Sequence, residues 1–196
     1  MMNKVSDFSK LLDEMREHAK RSLVDTQTQP FTPSTPELQT LLATMKENSN
    51  RINFSSVDDI IAQLKNAAKQ DAQTVASNAK EKINDAKQTY RQDRNTDEFT
   101  GNMGSAWHDI SQDIENQIND LHNQAKESAQ QHPEAMYALI QFLHSEEVLF
   151  HQDLANKIEN FINNAVQNPV TWIEQADGEI YTFFNNLNSW ISQNFN

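Results

Sequence analysis

No cysteine occurs among the 196 residues. That excludes disulfides, thiolate nucleophiles and Cys-based zinc or iron–sulfur sites, and it suits a reducing cytosol. Glycine and proline are nearly as scarce, at 3 and 5 residues. A sheet protein needs many tight turns, which Gly and Pro supply, so a chain with so few of them has almost no hairpins. The fold class expected is all-α: an elongated up-and-down bundle of about six helices, four of them long. Basic residues are short too, with 16 Lys and Arg against 28 Asp and Glu and a net charge of −12. Without a basic face to displace counterions from phosphates, nucleic acid is not an expected partner, and anionic membrane surfaces are disfavoured on the same ground. Long apolar runs are missing as well. No stretch approaches the ~18 residues of a transmembrane helix. Met1–Lys10 has no apolar core of a Sec-type signal peptide. The expected location is the cytoplasm, or outside the cell by a route that reads another signal.

The deficits are uneven. After Lys126 the only basic residue is Lys157, against nine acids, so residues 127–196 carry 1 − 9 = −8. A protein partner with a basic surface would meet this end first. The hydrophobic fraction of 37% is below the ~45% of an average globular domain, which favours a slender bundle. Polarity comes largely from amides, 22 Asn and 18 Gln, interleaved with regularly spaced apolar residues rather than gathered in tracts.

What the chain does hold is helical periodicity. Val5, Phe8, Leu12, Met15 and Ala19 recur at the three- and four-residue spacing of one helix face, over about Lys4 to Leu23. Pro30, Pro33 and Pro36 then force an extended segment. This divides the chain into an N-terminal helix or arm (residues 1–25), a Pro/Thr linker (26–35) and a helical bundle domain (36–196). Thr35-Pro36-Glu37 has the form of a helix start: N-cap, Pro at N1, acid in the first turn. From Ser56 to about Arg94 the apolar stripe is unbroken, a helix of about 58 Å at about 1.5 Å per residue. Its middle is alanine-rich and is expected to be the weakest part of the bundle or a partner-binding surface. Gly101-Asn102-Met103-Gly104 reads as a turn, with Ser105 starting the next helix. His132-Pro133-Glu134 begins another, to about Val166, which is the most apolar and is read as the central one. Asn168-Pro169 begins the last, whose stripe stays in phase across Gly178.

His144, Glu147 and His151, at spacings of three and four, fall on neighbouring turns and are the candidate metal ligands. One reading is a metal site or a His–Glu acid/base pair; the other is a partly buried Glu bonded to its helical neighbours. His108, Glu115 and His122 lie at seven-residue spacing on the preceding helix and could face that set, or form a solvated flank. No Glu-x-x-His pair is present, so a di-iron bundle site is not expected. No Walker loop, G-x-G-x-x-G, G-x-S-x-G or H-E-x-x-H occurs. No catalytic residue is assigned and no cofactor is expected. Trp172, Phe183 and Trp190, with Phe184, form an aromatic stripe on the last helix. It either closes the bundle core or, through Trp172, Phe183 and Trp190, anchors a partner.

Three functions follow. The first is a non-enzymatic interaction protein that binds another protein; export without a Sec signal and the abundant amides fit a bacterial effector delivered into host cells. The second is a lipid-surface binder. The run from Asp58 to Arg94, with turns such as Ala67-Ala68-Lys69-Gln70-Asp71-Ala72, resembles the exchangeable apolipoproteins in composition over one helix. That resemblance implies a bundle that opens and spreads, in peripheral contact with lipid. The third is a His/Glu metal-binding protein. The first is favoured, because it requires none of the missing motifs; oligomeric state is open.

Overall fold

Thr35 caps the helix that begins at Pro36. Its Oγ1 accepts the Leu38 amide at 3.3 Å and its carbonyl accepts the Gln39 amide at 3.0 Å, while Pro36 occupies N1, where a missing N–H costs nothing. The computed structural model describes residues 4–24, 30–49 and 54–195. Among them no strand occurs, and seven α-helices follow in order: α1 (Lys4–Val24), α2 (Pro36–Ser49), α3 (Phe54–Asp93), α4 (Thr96–Gln131), α5 (Met136–Gln141), α6 (Val148–Gln167) and α7 (Pro169–Asn194). A 3₁₀ turn, Pro133–Ala135, leads into α5, and a π-helical segment, Phe142–Glu147, separates α5 from α6. The all-α class is thus present with seven helices rather than six. The extra one arises because the helix expected from Glu134 to Val166 is interrupted by the π-helical segment.

The corner between α3 and α4 lies at Arg94–Asn95, not at the two glycines. Asp93 Oδ1 accepts the Asn95 amide at 2.9 Å, and Asn95 Oδ1 accepts the amides of Asp97 and Glu98 at 3.1 and 3.2 Å. Asn95 is therefore the N-cap of α4. Arg94, with φ of 58°, supplies the left-handed residue that ends α3, a place where glycine is usual. Gly101 and Gly104 sit inside α4, where an added Cβ at either would meet nothing within 4 Å. Opposite substitutions test this assignment by thermal melting. Gly101→Ala is expected to stabilise by about 1 kcal/mol, as in any exposed helix interior, and Arg94→Gly by about the same through relief of the left-handed conformation. A turn at 101–104 would reverse the first result.

The chain divides into two compact units. Unit 1 comprises residues 1–68 and 117–152. There α1 packs on α2, and α2 on α5. The helix expected to be a detachable arm buries Phe8, Leu11, Leu12, Met15 and Ala19 in this unit's core. Lys126 of α4 binds Asp13 of α1. The segment 30–35 is docked as well: Ser34 donates its amide to Glu14 at 2.8 Å and its hydroxyl to the same carboxylate, and Pro33 is buried. The expected linker falls partly on residues 25–29, outside the described residues; the part from Pro30 on belongs to unit 1.

Unit 2 comprises residues 69–116 and 153–196. Asn78 pairs with Asp113 at 3.2 Å, and Lys82, one turn on along α3, with Asp109, one turn back along α4, at 2.7 Å. The two segments therefore run antiparallel from the Arg94–Asn95 corner. Ala72, Val75, Ala79 and Ile83 of α3 are at most 1% exposed, so the alanine-rich stripe is covered by its own fold and is not an open surface. Small side chains let the helices approach closely, which is how a stripe poor in apolar area is still fully enclosed. Helix α7 begins at Pro169 and runs unbroken through Gly178. Asn168 is its N-cap by position, through its carbonyl to the Trp172 amide at 2.9 Å, with no side-chain bond.

Candidate functional site

The candidate metal set falls on the π-helical segment, and this decides its geometry. A π turn inserts a residue without advancing the helix, so every position after it is turned back by about 100° relative to an unbroken helix. His151 is thereby brought inward and is 1% exposed, with the Phe150 ring edge-on beside it. His144, before the insertion, stays exposed. The two histidines that flank Glu147 in a regular helix thus have opposite environments. The Glu147 side chain lies outside the described side chains. Among the described residues no group of three His, Asp or Glu gathers as metal ligands.

Phe31, from the segment after the first proline, stands between two histidines. Its ring centroid is 5.6 Å from His18 of α1 and 6.0 Å from His144, edge-on to both. Partial burial, and then the nearby charge of His18, lower the pKa of His144 below 6.5.

The second set separates as well. His108 is exposed and Glu115 half-buried. His122, expected on a solvated flank or facing the first set, is completely buried. Its Nδ1 lies 2.8 Å from the Ile118 carbonyl, and since a carbonyl only accepts, Nδ1 carries the proton. Burial brings its pKa down from 6.5 to about 4; the Ile118 carbonyl opposes this, and the charges of Arg16, His151 and Lys126 add to it. The structure therefore brings together one member of each set, His122 and His151, in a buried neighbourhood of unit 1. His122, enclosed and with its pKa brought down to about 4, is poorly placed for acid/base work on a substrate, which needs access and a pKa near the working pH.

In unit 2 the aromatic stripe divides by depth. Trp172 is 6% exposed, between Phe99 at 5.6 Å and Phe161 at 6.3 Å. Its indole nitrogen has no hydrogen-bond partner among the described residues, so packing alone holds it; it is a core residue. Phe183 and Trp190 are half-buried. Phe183 stacks face to face on Phe161 of α6 with centroids 4.2 Å apart and 13° between planes. The Lys157 ammonium lies 5.1 Å over the Trp190 ring, a cation–π contact. Phe161, Phe183 and Trp190 thus form a strip along α6 and α7 that water still reaches.

Comparison with family models, with known proteins and with solved structures finds no match to this chain. No helix among the described residues is long and apolar enough to cross a membrane. An open groove of about 460 Å³ between α3 and α4 is lined by Glu81, Asp85, Asp109 and Asp113 with Lys82. Lys82 engages Asp109 there, raising its own pKa and lowering that of Asp109. The pair is exposed and contributes little to stability.

One polar cluster was not singled out by sequence reasoning. Lys87, on the apolar stripe of α3, is 5% exposed. Its ammonium donates to Asn84 Oδ1 at 2.6 Å and to Asp177 Oδ1 of α7 at 2.7 Å. Arg91 donates to Asp177 Oδ2 at 2.9 Å. First Lys87, then Arg91, holds the Asp177 carboxyl down from 3.8 to about 2. The signal was available: a lysine four residues after Ile83 and three before Tyr90 occupies a core slot, and a buried ammonium requires a carboxylate.

Proposed function

We propose that this is a non-enzymatic interaction protein that binds a protein partner through the aromatic strip of unit 2. The observation that carries the reading is the half-exposure of Phe183 and Trp190, stacked on Phe161 and braced by Lys157. Partly desolvated aromatic side chains held rigid by their neighbours lose little entropy on binding and are the usual anchors of protein interfaces. Trp172 lies beneath the strip and fixes its shape rather than meeting the partner. The −8 charge of residues 127–196 favours a partner that presents apolar side chains with basic residues around them. Export to a host cell remains part of the proposal and rests on composition alone.

The test is affinity capture from native or host lysate with wild type and with Phe183→Ser/Trp190→Ala. A specific partner retained by wild type and lost at least tenfold by the double variant, with helicity unchanged, supports the reading. Equal capture by both places the interface elsewhere. Binding to neutral phosphatidylcholine vesicles with increased helicity would transfer the strip to the lipid-surface reading.

A further inference from the structure

A glycine inside a helix usually answers a packing need, and Gly178 answers none. A Cβ added there would meet nothing within 4 Å, its φ is negative, and α7 runs through it unbroken. Alanine would fit and would hold the helix better. What the glycine does create is an Asp–Gly dipeptide, the only one in the sequence, which has no Asn–Gly. With no side chain on residue 178, its backbone nitrogen is unhindered and lies in reach of a five-membered ring with the Asp177 carboxyl carbon. We propose that Asp177–Gly178 is a self-modification site, an aspartate that isomerises through a succinimide and is kept silent by Lys87 and Arg91.

The reaction needs only water. The Gly178 nitrogen attacks the Asp177 side-chain carboxyl carbon, a C–N bond forms, and the carboxyl hydroxyl leaves with the amide proton as water. Water then adds to the main-chain carbonyl of the succinimide and breaks its bond to that nitrogen. The product is isoaspartate, in which the chain runs through Cβ and the α-carboxylate is free. One water leaves and one returns, so nothing is oxidised or reduced and mass is unchanged.

Two features hold the site in check. The first is the helix. In regular pitch the Gly178 N–H donates to the Glu174 carbonyl, and the nitrogen reaches the side chain only when α7 opens locally. Glycine makes that opening about fivefold easier than alanine would. The second is charge. Loss of water requires the neutral acid, whereas Asp177 is held as the anion by Lys87 at 2.7 Å and by Arg91 at 2.9 Å. Both cations belong to α3, so they keep their grip when α7 opens. Lys87 first, then Arg91, brings the carboxyl down to about 2. The side chain is 65% exposed, so water is at hand once the carboxylate is released.

Conversion is one-way, and it damages the fold. An extra methylene enters the backbone of α7 between Ala176 and Ile180, both buried. The new carboxylate sits directly on Cα and is one carbon too short for its old partner. The Lys87 ammonium, on a residue 5% exposed, keeps only Asn84 Oδ1, and a buried charge without its counter-ion is costly. The site thus acts as a timer on the α3–α7 tie, and it runs faster wherever Asp177 is freed from its cations.

The test is incubation of the full chain near pH 6 for several weeks, with isoaspartate located by electron-transfer fragmentation of the peptide that contains residue 177. Asn188–Ser189, exposed on the same helix, deamidates through the same kind of ring without an ion pair, and its rate reports helix opening alone. Relative to that reference, Lys87→Met/Arg91→Gln is expected to raise conversion at 177 by about tenfold, after allowance for solvent screening of the exposed carboxylate. If the double variant fails to fold, Arg91→Gln is expected to give part of the rise. Gly178→Ala in either background is expected to abolish it, and the isoaspartate-bearing fraction to melt clearly below its parent. Conversion at 177 that is absent from the variants, or that rises only in step with Asn188, overturns the proposal. So does conversion that persists in Gly178→Ala, or an isoaspartate fraction that melts with its parent.

Discussion

Phe8→Ala is expected to destabilise the protein by about 3–5 kcal/mol, the range for truncating a phenylalanine in a closed core. Phe8 is 1% exposed, and its neighbours on the same face, Leu11, Leu12 and Met15, are at most 2% exposed. The void left behind would be lined by side chains already in contact on several sides. Little of it can collapse, and the cost should fall toward the upper end. The result discriminates between two views of the N-terminus. A helix joined to a bundle by a free proline-rich linker loses little when one of its apolar residues is removed, because its packing is optional. A helix that forms one wall of unit 1 carries the full cavity cost into the stability of that unit. Chemical denaturation followed by far-UV circular dichroism measures it. A shift below about 1 kcal/mol, the size of a surface substitution, would restore the detachable arm.

The contrast between α1 and the segment after it shows where sequence reading succeeds. The stripe Phe8, Leu12, Met15, Ala19 announces a helix with one buried face, and that face is buried. Its destination was not legible, because prolines at 30, 33 and 36 are compatible both with a free linker and with an extended strap. The strap is fixed by contacts no local rule contains: the Phe31 ring between His18 and His144, and Ser34 on Glu14. The α3–α4 corner failed for a different reason. Two glycines drew the turn to 101–104, while Asp93-Arg94-Asn95-Thr96-Asp97, rich in the side chains that bond to nearby backbone, formed it. Phase was the better guide. Phe99, Met103, Ala106 and Ile110 keep helical spacing across both glycines, and all four are buried.

At the histidines the limit is the π-helical segment. Nothing in Phe142–Glu147 marks the extra residue, and without it His144 and His151 share a flank with Glu147 between them. A single inserted residue turns His151 inward, where its charge reaches His122 on another helix. Periodicity assigns faces only as far as the helix keeps its pitch, so residues on either side of such an insertion do not keep the face that their spacing implies.

Asp177→Ala is expected to be far more damaging than its own exposure implies. The side chain of Asp177 is 65% exposed, whereas that of its partner Lys87 is 6% exposed. Removing the carboxylate leaves a buried ammonium with Asn84 Oδ1 alone, and an uncompensated buried charge is among the costly defects a fold can carry. The reciprocal change is milder. Lys87→Met replaces the stem with one of similar volume, and Asp177 keeps Arg91 at 2.9 Å and open water. The expected order of melting temperatures is wild type, then Lys87→Met close to it, then Asp177→Ala clearly lowest, with Asp177→Ala/Lys87→Met recovering most of the loss. The acid limb provides a second readout. Asp177 has its folded pKa depressed to about 2 from 3.8, so its contribution is complete above pH 3.8 and is lost as pH falls from there toward 2. In wild type that loss lies below the window in which His122 takes up its proton, so titration below pH 4 separates the two. Asp177→Ala should flatten this lower limb and leave the pH 6.5 to 4 limb intact. Equal melting of Asp177→Ala and Lys87→Met would show that Lys87 reaches solvent by another path and that the α3–α7 tie is not held by charge.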